Sequence, residues 1–188
     1  MSLELRAAGP PAEVEDRLAV RCRLGDPSAF DELVARYQAR LYRFAMRALQ
    51  NRGEAEDAVQ ETFVRAYRGL GSYRPDGYFA SWIYRIALNE CRRRLRSRRP
   101  TGALETVSAC AEGPTPEQAA LDDERHRRVR GAVDALPEPH RVVVTLFYFD
   151  EMSVEQIART LSISAGAVKV RLHRARERLA TRLGPVVR

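Results

Sequence analysis

Lysine is almost missing from this sequence. Of 32 basic residues in 188, only Lys169 is lysine and the rest are arginine. Guanidinium groups suit bidentate contacts to phosphate and guanine, but so global a bias points to G+C-rich codon usage before any ligand. Cysteine is scarce too: Cys22, Cys91 and Cys110 are odd in number and far apart. That excludes a disulfide framework and a zinc knuckle, and leaves buried, inert thiols as the expectation. Long hydrophobic runs are absent. The longest, Val142 to Phe149, is far short of the roughly 20 residues that cross a bilayer. The start, MSLELRAAGPP, has neither the basic opening nor the apolar core of a signal peptide. Histidines 126, 140 and 173 are scattered. No glycine loop cradles a phosphate, no His/Cys/Asp set has metal spacing, and no nucleophile has a base nearby. The expectation is a cytoplasmic protein without membrane insertion, cofactor, metal or catalytic residues.

What remains is a basic, globular composition: 45% hydrophobic, 30% charged, net charge +7. The charge is uneven. Residues 1–91 hold 13 basic and 13 acidic side chains, and residues 92–99 (RRRLRSRR) add six arginines and no acid. Residues 100–136 carry 4 basic and 7 acidic side chains; residues 137–188 carry 9 and 5. Two basic patches around an acidic stretch suggest two contacts with a polyanion, a solvated charged face being the plainer alternative for either.

The periodicity is helical nearly throughout. A first helix spans about Glu13 to Leu24, ended by Gly25. Asp26-Pro27 is an N-cap followed by proline at the first helical position. From there Phe30, Leu33, Val34, Tyr37, Leu41, Phe44 and Ala48 form one apolar stripe, broken at Asn51-Arg52-Gly53. Further helices are predicted at about Glu54 to Leu70 and Tyr78 to Arg96, separated by a Gly/Pro loop. Residues 97–116, with three prolines and little to bury, read as a linker. Thr115 to Gln118 has capping-box spacing and opens a helix to about Leu136; Pro137 and Pro139 stop it. A compact helical unit follows, about Glu138 to Leu183. The predicted fold is all-α: a tail at 1–9, a helical domain at 10–96, a flexible linker at 97–116, and a second helical domain at 117–188.

Three surfaces stand out. In SVEQIARTLSISAGAVKVRLHRARERL (Ser153 to Leu179), Ser153 and Gln156 cap a short helix and Ser164 caps a second after a four-residue turn. Small Ala158 suits a close helix crossing, and the pattern is that of a helix-turn-helix. Opposite the packing residues Val168, Leu172, Ala175 and Leu179, the second helix presents Gly166, Ala167, Lys169, Val170, His173 and Arg174 to base edges. Arg171 and Arg176 flank that face as phosphate contacts, and Ser164 at the helix N-terminus joins them as a candidate DNA contact. The second surface joins Arg85, Asn89, Arg92, Arg93 and Arg96, at helical steps, to an aromatic-rich segment where Tyr73 lies in a Pro/Gly loop. Basic groups beside a stacking surface suit single-stranded nucleic acid; Phe79 and Trp82 read as core. On the third surface Asp57, Gln60 and Glu61 cluster opposite the apolar stripe of their helix, followed by Arg65 and Arg68.

Together these segments resemble bacterial RNA polymerase sigma factors of the extracytoplasmic-function (ECF, group IV) class. GDPSAFDELVARY resembles the opening of the family's second region, and EAEDAVQETFVRAYR its segment that docks on the polymerase β′ clamp coiled coil. The resemblance makes Asp57, Gln60, Glu61, Arg65 and Arg68 candidate polymerase contacts. FASWIYRIALNECRRRLR is similar to the helix that opens and reads the −10 element, and the stretch from Ala135 to Leu179 to the fourth region, which reads the −35 element and meets the β flap. Three positions depart from the pattern. Ala80-Ser81 replaces a commoner basic or polar pair, Arg93 a common aspartate, and Val170 a common serine. The resemblance implies core polymerase, promoter DNA and an anti-sigma factor as partners. A dimeric helix-turn-helix regulator, or another polymerase-interaction protein, is the alternative that the residues alone leave open.

Overall fold

The computed structural model describes residues 12–98, 124 and 127–184, and among these all regular structure is helical, with no strand. Helix α1 (Ala12–Arg23) turns through Gly25, whose φ of 91° favours glycine, into α2 (Pro27–Leu49). The Asp26 side chain accepts from the Ser28 amide at 3.0 Å and from Arg21 at 2.6 Å. With the Ser28 contacts foremost, these bonds hold its carboxyl down at about 2. The stripe read from the sequence is the buried face of α2: Leu33, Tyr37, Leu41 and Phe44 are all closed to solvent. Each such side chain contributes roughly 1.5–3 kcal/mol on burial. Helix α3 (Arg52–Gly69) starts from Asn51, which accepts from the Glu54 amide at 2.9 Å. A 3₁₀ turn, Leu70–Ser72, leads to a loop held by Asp16, which accepts from the Tyr73 hydroxyl at 2.5 Å and the Gly77 amide at 2.6 Å. Helix α4 (Phe79–Ser97) completes the first part.

The second part begins, as described, with α5 (127–134). Helix α6 (Glu138–Val144) widens into a π turn, Thr145–Phe149, then come α7 (Val154–Leu161) and α8 (Ala165–Leu183). The tail, the capping box expected at Thr115, Cys110 and most of the linker lie outside the described residues. Two residues assigned to the linker are described. Ser97 ends α4, and Arg98 folds back to reach Glu54 at 2.5 Å and the Leu49 carbonyl at 2.6 Å. Cys91 is buried and its thiol is pushed up to about 12 by that burial, in keeping with an inert thiol.

The sequence predicts two bodies on a tether; the structure packs them on each other. Val142, Val143, Leu146, Met152, Ile157, Val168 and Leu172 join the apolar core of α1–α4 in one continuous cluster. Val133, Leu136, Val144 and Ala175 form a smaller core within the second part. The apolar run from Val142 to Phe149 serves both, with Val142, Val143 and Leu146 in the larger cluster and Val144 in the smaller one.

Candidate nucleic-acid interface

Helices α7 and α8 form the helix-turn-helix. Ser153 and Gln156 make the full capping box, with the Gln156 amide donating to Ser153 Oγ at 3.2 Å and the Ser153 amide to Gln156 Oε1 at 2.9 Å. The turn passes through Ser162 in left-handed geometry, φ 54°, and its Ile163 amide bonds the Ala158 carbonyl at 3.0 Å. Ser164 caps α8 by accepting from the Ala167 amide at 3.1 Å, so its hydroxyl serves the helix. Val168, Leu172 and Ala175 are buried. That turns Gly166, Lys169, Val170, His173 and Arg174 outward on one open face, with Ala167 and Arg171 half-buried at its margin. Val170 is 50% exposed, an apolar side chain held out in water. His173 lies 3.5 Å from Glu177. Arg176 departs from the expected phosphate role: it donates to the Tyr148 hydroxyl at 2.8 Å and lies by the Phe147 and Tyr148 rings.

The α4 surface differs more from expectation. Tyr73, the expected stacking platform, is 5% exposed, bonded to Asp16 and packed against Phe79 and Trp82. Trp82, expected as core, is half-buried instead. The arginine run is an ionic lattice whose acids lie both on α4 itself and on distant segments. Arg92 meets Glu138 at 2.8 Å, and Arg94 meets Asp57 at 3.4 Å. Arg93 lies along its own helix to bond Glu90 at 2.6 and 2.9 Å. Arg85 donates to the Arg159 carbonyl. Asn89 and Arg96 remain exposed. Sequence reasoning missed Glu90, whose side chain is closed to solvent while receiving Arg93, Arg94 and, at 3.6 Å, Arg65. Hydrogen bonds led by Arg93 hold its carboxyl below the usual range. Its only sequence signal was an acid beginning an arginine run.

On α3, Asp57, Gln60 and Arg68 are exposed and Glu61 half-buried, with Arg65 bonded to Glu61 at 2.7 Å. Val64 and Tyr67 extend that face as exposed apolar side chains, 42% and 58% accessible. No group of three or more metal-ligating side chains occurs among the described residues, and no described helix is long and apolar enough to cross a membrane.

An outward helix-turn-helix packed on a helical body that carries an arginine-rich helix is the architecture of a nucleic-acid-binding protein. Residues 19–101 match the family model for sigma-70 region 2, and residues 126–179 that for sigma-70 region 4. The RNA polymerase sigma-H factor of Pseudomonas aeruginosa is 36% identical over 187 residues, spanning 94% of this chain and 97% of its own length. The ECF sigma factor SigW of Bacillus subtilis is 36% identical over 170 residues, covering 85% and 91%. The ECF sigma-E factor of Escherichia coli K12 is 35% identical over 182 residues, covering 91% and 95%. Among solved structures, CnrH in complex with the cytosolic domain of CnrY superposes with a TM-score of 0.71 at 30% identity, covering 90% of this chain and 97% of that one. The chain belongs to the sigma-70 family of RNA polymerase sigma factors, in its ECF class. It directs promoter-specific initiation through −10 and −35 elements as a non-catalytic polymerase subunit, which sets aside the dimeric regulator.

Proposed function

We propose that the open face of α8 reads the −35 element with Gly166, Ala167, Lys169, Val170, His173 and Arg174, while Arg171 holds phosphate. The observation that carries this is the outward array of these side chains on a helix whose other side is sealed in the core. Helix N-terminal residues at the groove floor with arginines on the backbone is the usual docking geometry of this motif. Region 2 supplies the −10 contacts through Arg85, Asn89, Arg92 and Arg96 on α4. There Trp82, half-open beside Tyr73, replaces Tyr73 as the stacking candidate. Core polymerase binds α3 through Asp57, Gln60, Glu61 and Arg68, with exposed Val64 and Tyr67 adding apolar contact. The two functional units are residues 10–96 and 117–188, joined by 97–116, in a protein of the cytoplasm. An anti-sigma factor is the proposed regulatory partner, supported by the likeness to CnrH, which was solved with CnrY.

Run-off transcription with purified core polymerase on genomic fragments tests this, comparing the wild type with Lys169→Ala/Arg174→Ala. Loss of two contacts of about 1 kcal/mol each lowers promoter occupancy roughly thirtyfold, with a shallower salt dependence. Unchanged promoter-specific initiation by the double variant would remove α8 as the reader.

A further inference from the structure

One carboxylate ties down both ends of the loop that precedes α4. Asp16, half-buried on α1, accepts from the Tyr73 hydroxyl at 2.5 Å through Oδ1 and from the Gly77 amide at 2.6 Å through Oδ2. The two donors lie 57 and 61 residues further along the chain. Burial first, then the bond to Asp16, pushes the Tyr73 hydroxyl up, so it remains a donor. Gly77 turns the backbone with a φ of 83°, which favours glycine, and α4 begins at Phe79.

This loop sets the ring of Trp82. Tyr73 packs against it with centroids 5.0 Å apart and planes at 45°, and Phe79 at 5.4 Å. Gly69 lies so close that a β-carbon there would come within 3.3 Å of Trp82 Cζ2. The indole stays half-exposed, on one stripe of α4 with exposed Arg85 and Asn89, at steps of three and four residues. Phe79 is held by the helix it shares with Trp82, and Gly69 offers no side chain. Tyr73 belongs to the loop, and a loop side chain keeps its place only where the scaffold fixes it. Asp16 supplies that fixing point from α1.

We infer that Asp16 is a positioning residue for promoter opening: by clasping Tyr73 and Gly77 it sets the Trp82 ring for stacking on an unpaired base of the −10 element. This rests on reading Trp82 as the stacking surface of region 2. Asp16 acts through Tyr73, from a helix that carries none of the −10 contacts. Aromatic stacking depends on the mutual tilt and offset of the rings, so a mis-set indole loses part of the gain that each stacked base brings.

Trp82 is the chain's single tryptophan and its own reporter. Acrylamide quenching in the free full-length protein reads how the ring is set. The rate of promoter opening by holoenzyme, followed with a fluorescent adenine analogue in the −10 element, reads its use. Asp16→Ala removes both bonds; it should raise the quenching constant about twofold and slow opening about fivefold, with closed-complex affinity little changed. Asp16→Asn can accept from the Gly77 amide and donate to the Tyr73 oxygen, so it should restore both readouts. Tyr73→Phe keeps the ring, deletes only the hydroxyl, and should show both defects in smaller measure. Trp82→Ala should slow opening about tenfold, and adding Asp16→Ala to it should slow opening no further. Melting is recorded for each variant; should Asp16→Ala not fold, Tyr73→Phe decides by the same two readouts. Wild-type quenching and opening in folded Asp16→Ala, or a penalty that persists in full in the Trp82→Ala background, would overturn the positioning role. If Trp82→Ala itself opens promoters at the wild-type rate, the stacking assignment fails and the role of Asp16 in opening falls with it, whatever the quenching shows.

Discussion

Asp150 makes the packing of the two regions on each other depend on pH, and the sign follows from its surroundings. It is 2% exposed at the junction of the two regions, with Oδ2 unpartnered. Tyr84 faces it from α4 and Arg40, Arg43 and Arg47 from α2. Burial dominates, raising the carboxyl from 3.8 to about 6 against the opposing Tyr84 bond and the arginines. Opening the interface returns the group to water and to its ordinary value. The closed form therefore binds the proton more tightly. Its stabilisation is complete below the ordinary carboxylate range and is lost as pH rises through about 6. A difference of this size corresponds to about 3 kcal/mol, an upper bound of about a hundredfold in the closure equilibrium. Small-angle scattering at pH 5.0 and 7.5 reads the change directly, with the larger radius at the higher pH. Asp150→Asn carries a permanent neutral group of the same shape and should stay compact at both. A wild type with identical radii at the two values, or an asparagine variant that keeps the full pH response, refutes this account.

Two further expectations concern the first region alone. Glu90→Ala removes the acceptor shared by Arg93, Arg94 and Arg65 and should cost about 2 kcal/mol, lowering the melting temperature by roughly 4–8 °C. Because hydrogen bonds hold the Glu90 carboxyl low, its contribution is present above the ordinary carboxylate range and fades as pH falls through the lowered value. A melting temperature within 2 °C of wild type at pH 7, in calorimetry, would count against the Glu90 hub. Tyr37→Phe deletes the hydroxyl that donates to buried Glu15 at 2.5 Å and should destabilise by about 1–3 kcal/mol in urea unfolding. Burial already raises Glu15, and the variant should raise it further; an unchanged Glu15 titration in carbon-detected NMR would contradict the pairing.

The helices were legible because their signals are local. Asp26-Pro27, Ser153 with Gln156, and Ser164 cap within three residues of themselves, and the α2 stripe repeats on one helix. The open face of α8 was legible for the same reason, since burying Val168, Leu172 and Ala175 determines what points out. What could not be read is everything that joins distant segments. Tyr73 sits in a Pro/Gly loop whose composition suggests a surface, but Asp16, 57 residues earlier, draws it into the core.

Arginines 92 to 99 show how far composition misleads when charge is counted along the chain. In sequence they carry no acid and look like a polyanion site. In space Arg92, Arg93, Arg94 and Arg98 face Glu138, Glu90, Asp57 and Glu54. Most of these pairs are solvent-accessible and contribute little stability singly, yet together they neutralise much of the patch. Arg92 illustrates the consequence. Its partner Glu138 belongs to the other region, 46 residues later, and the pair is still open to solvent on both sides. Among its described residues, what the run leaves uncommitted for an anion is Arg96, which is exposed and close to Asn89 on the same helix.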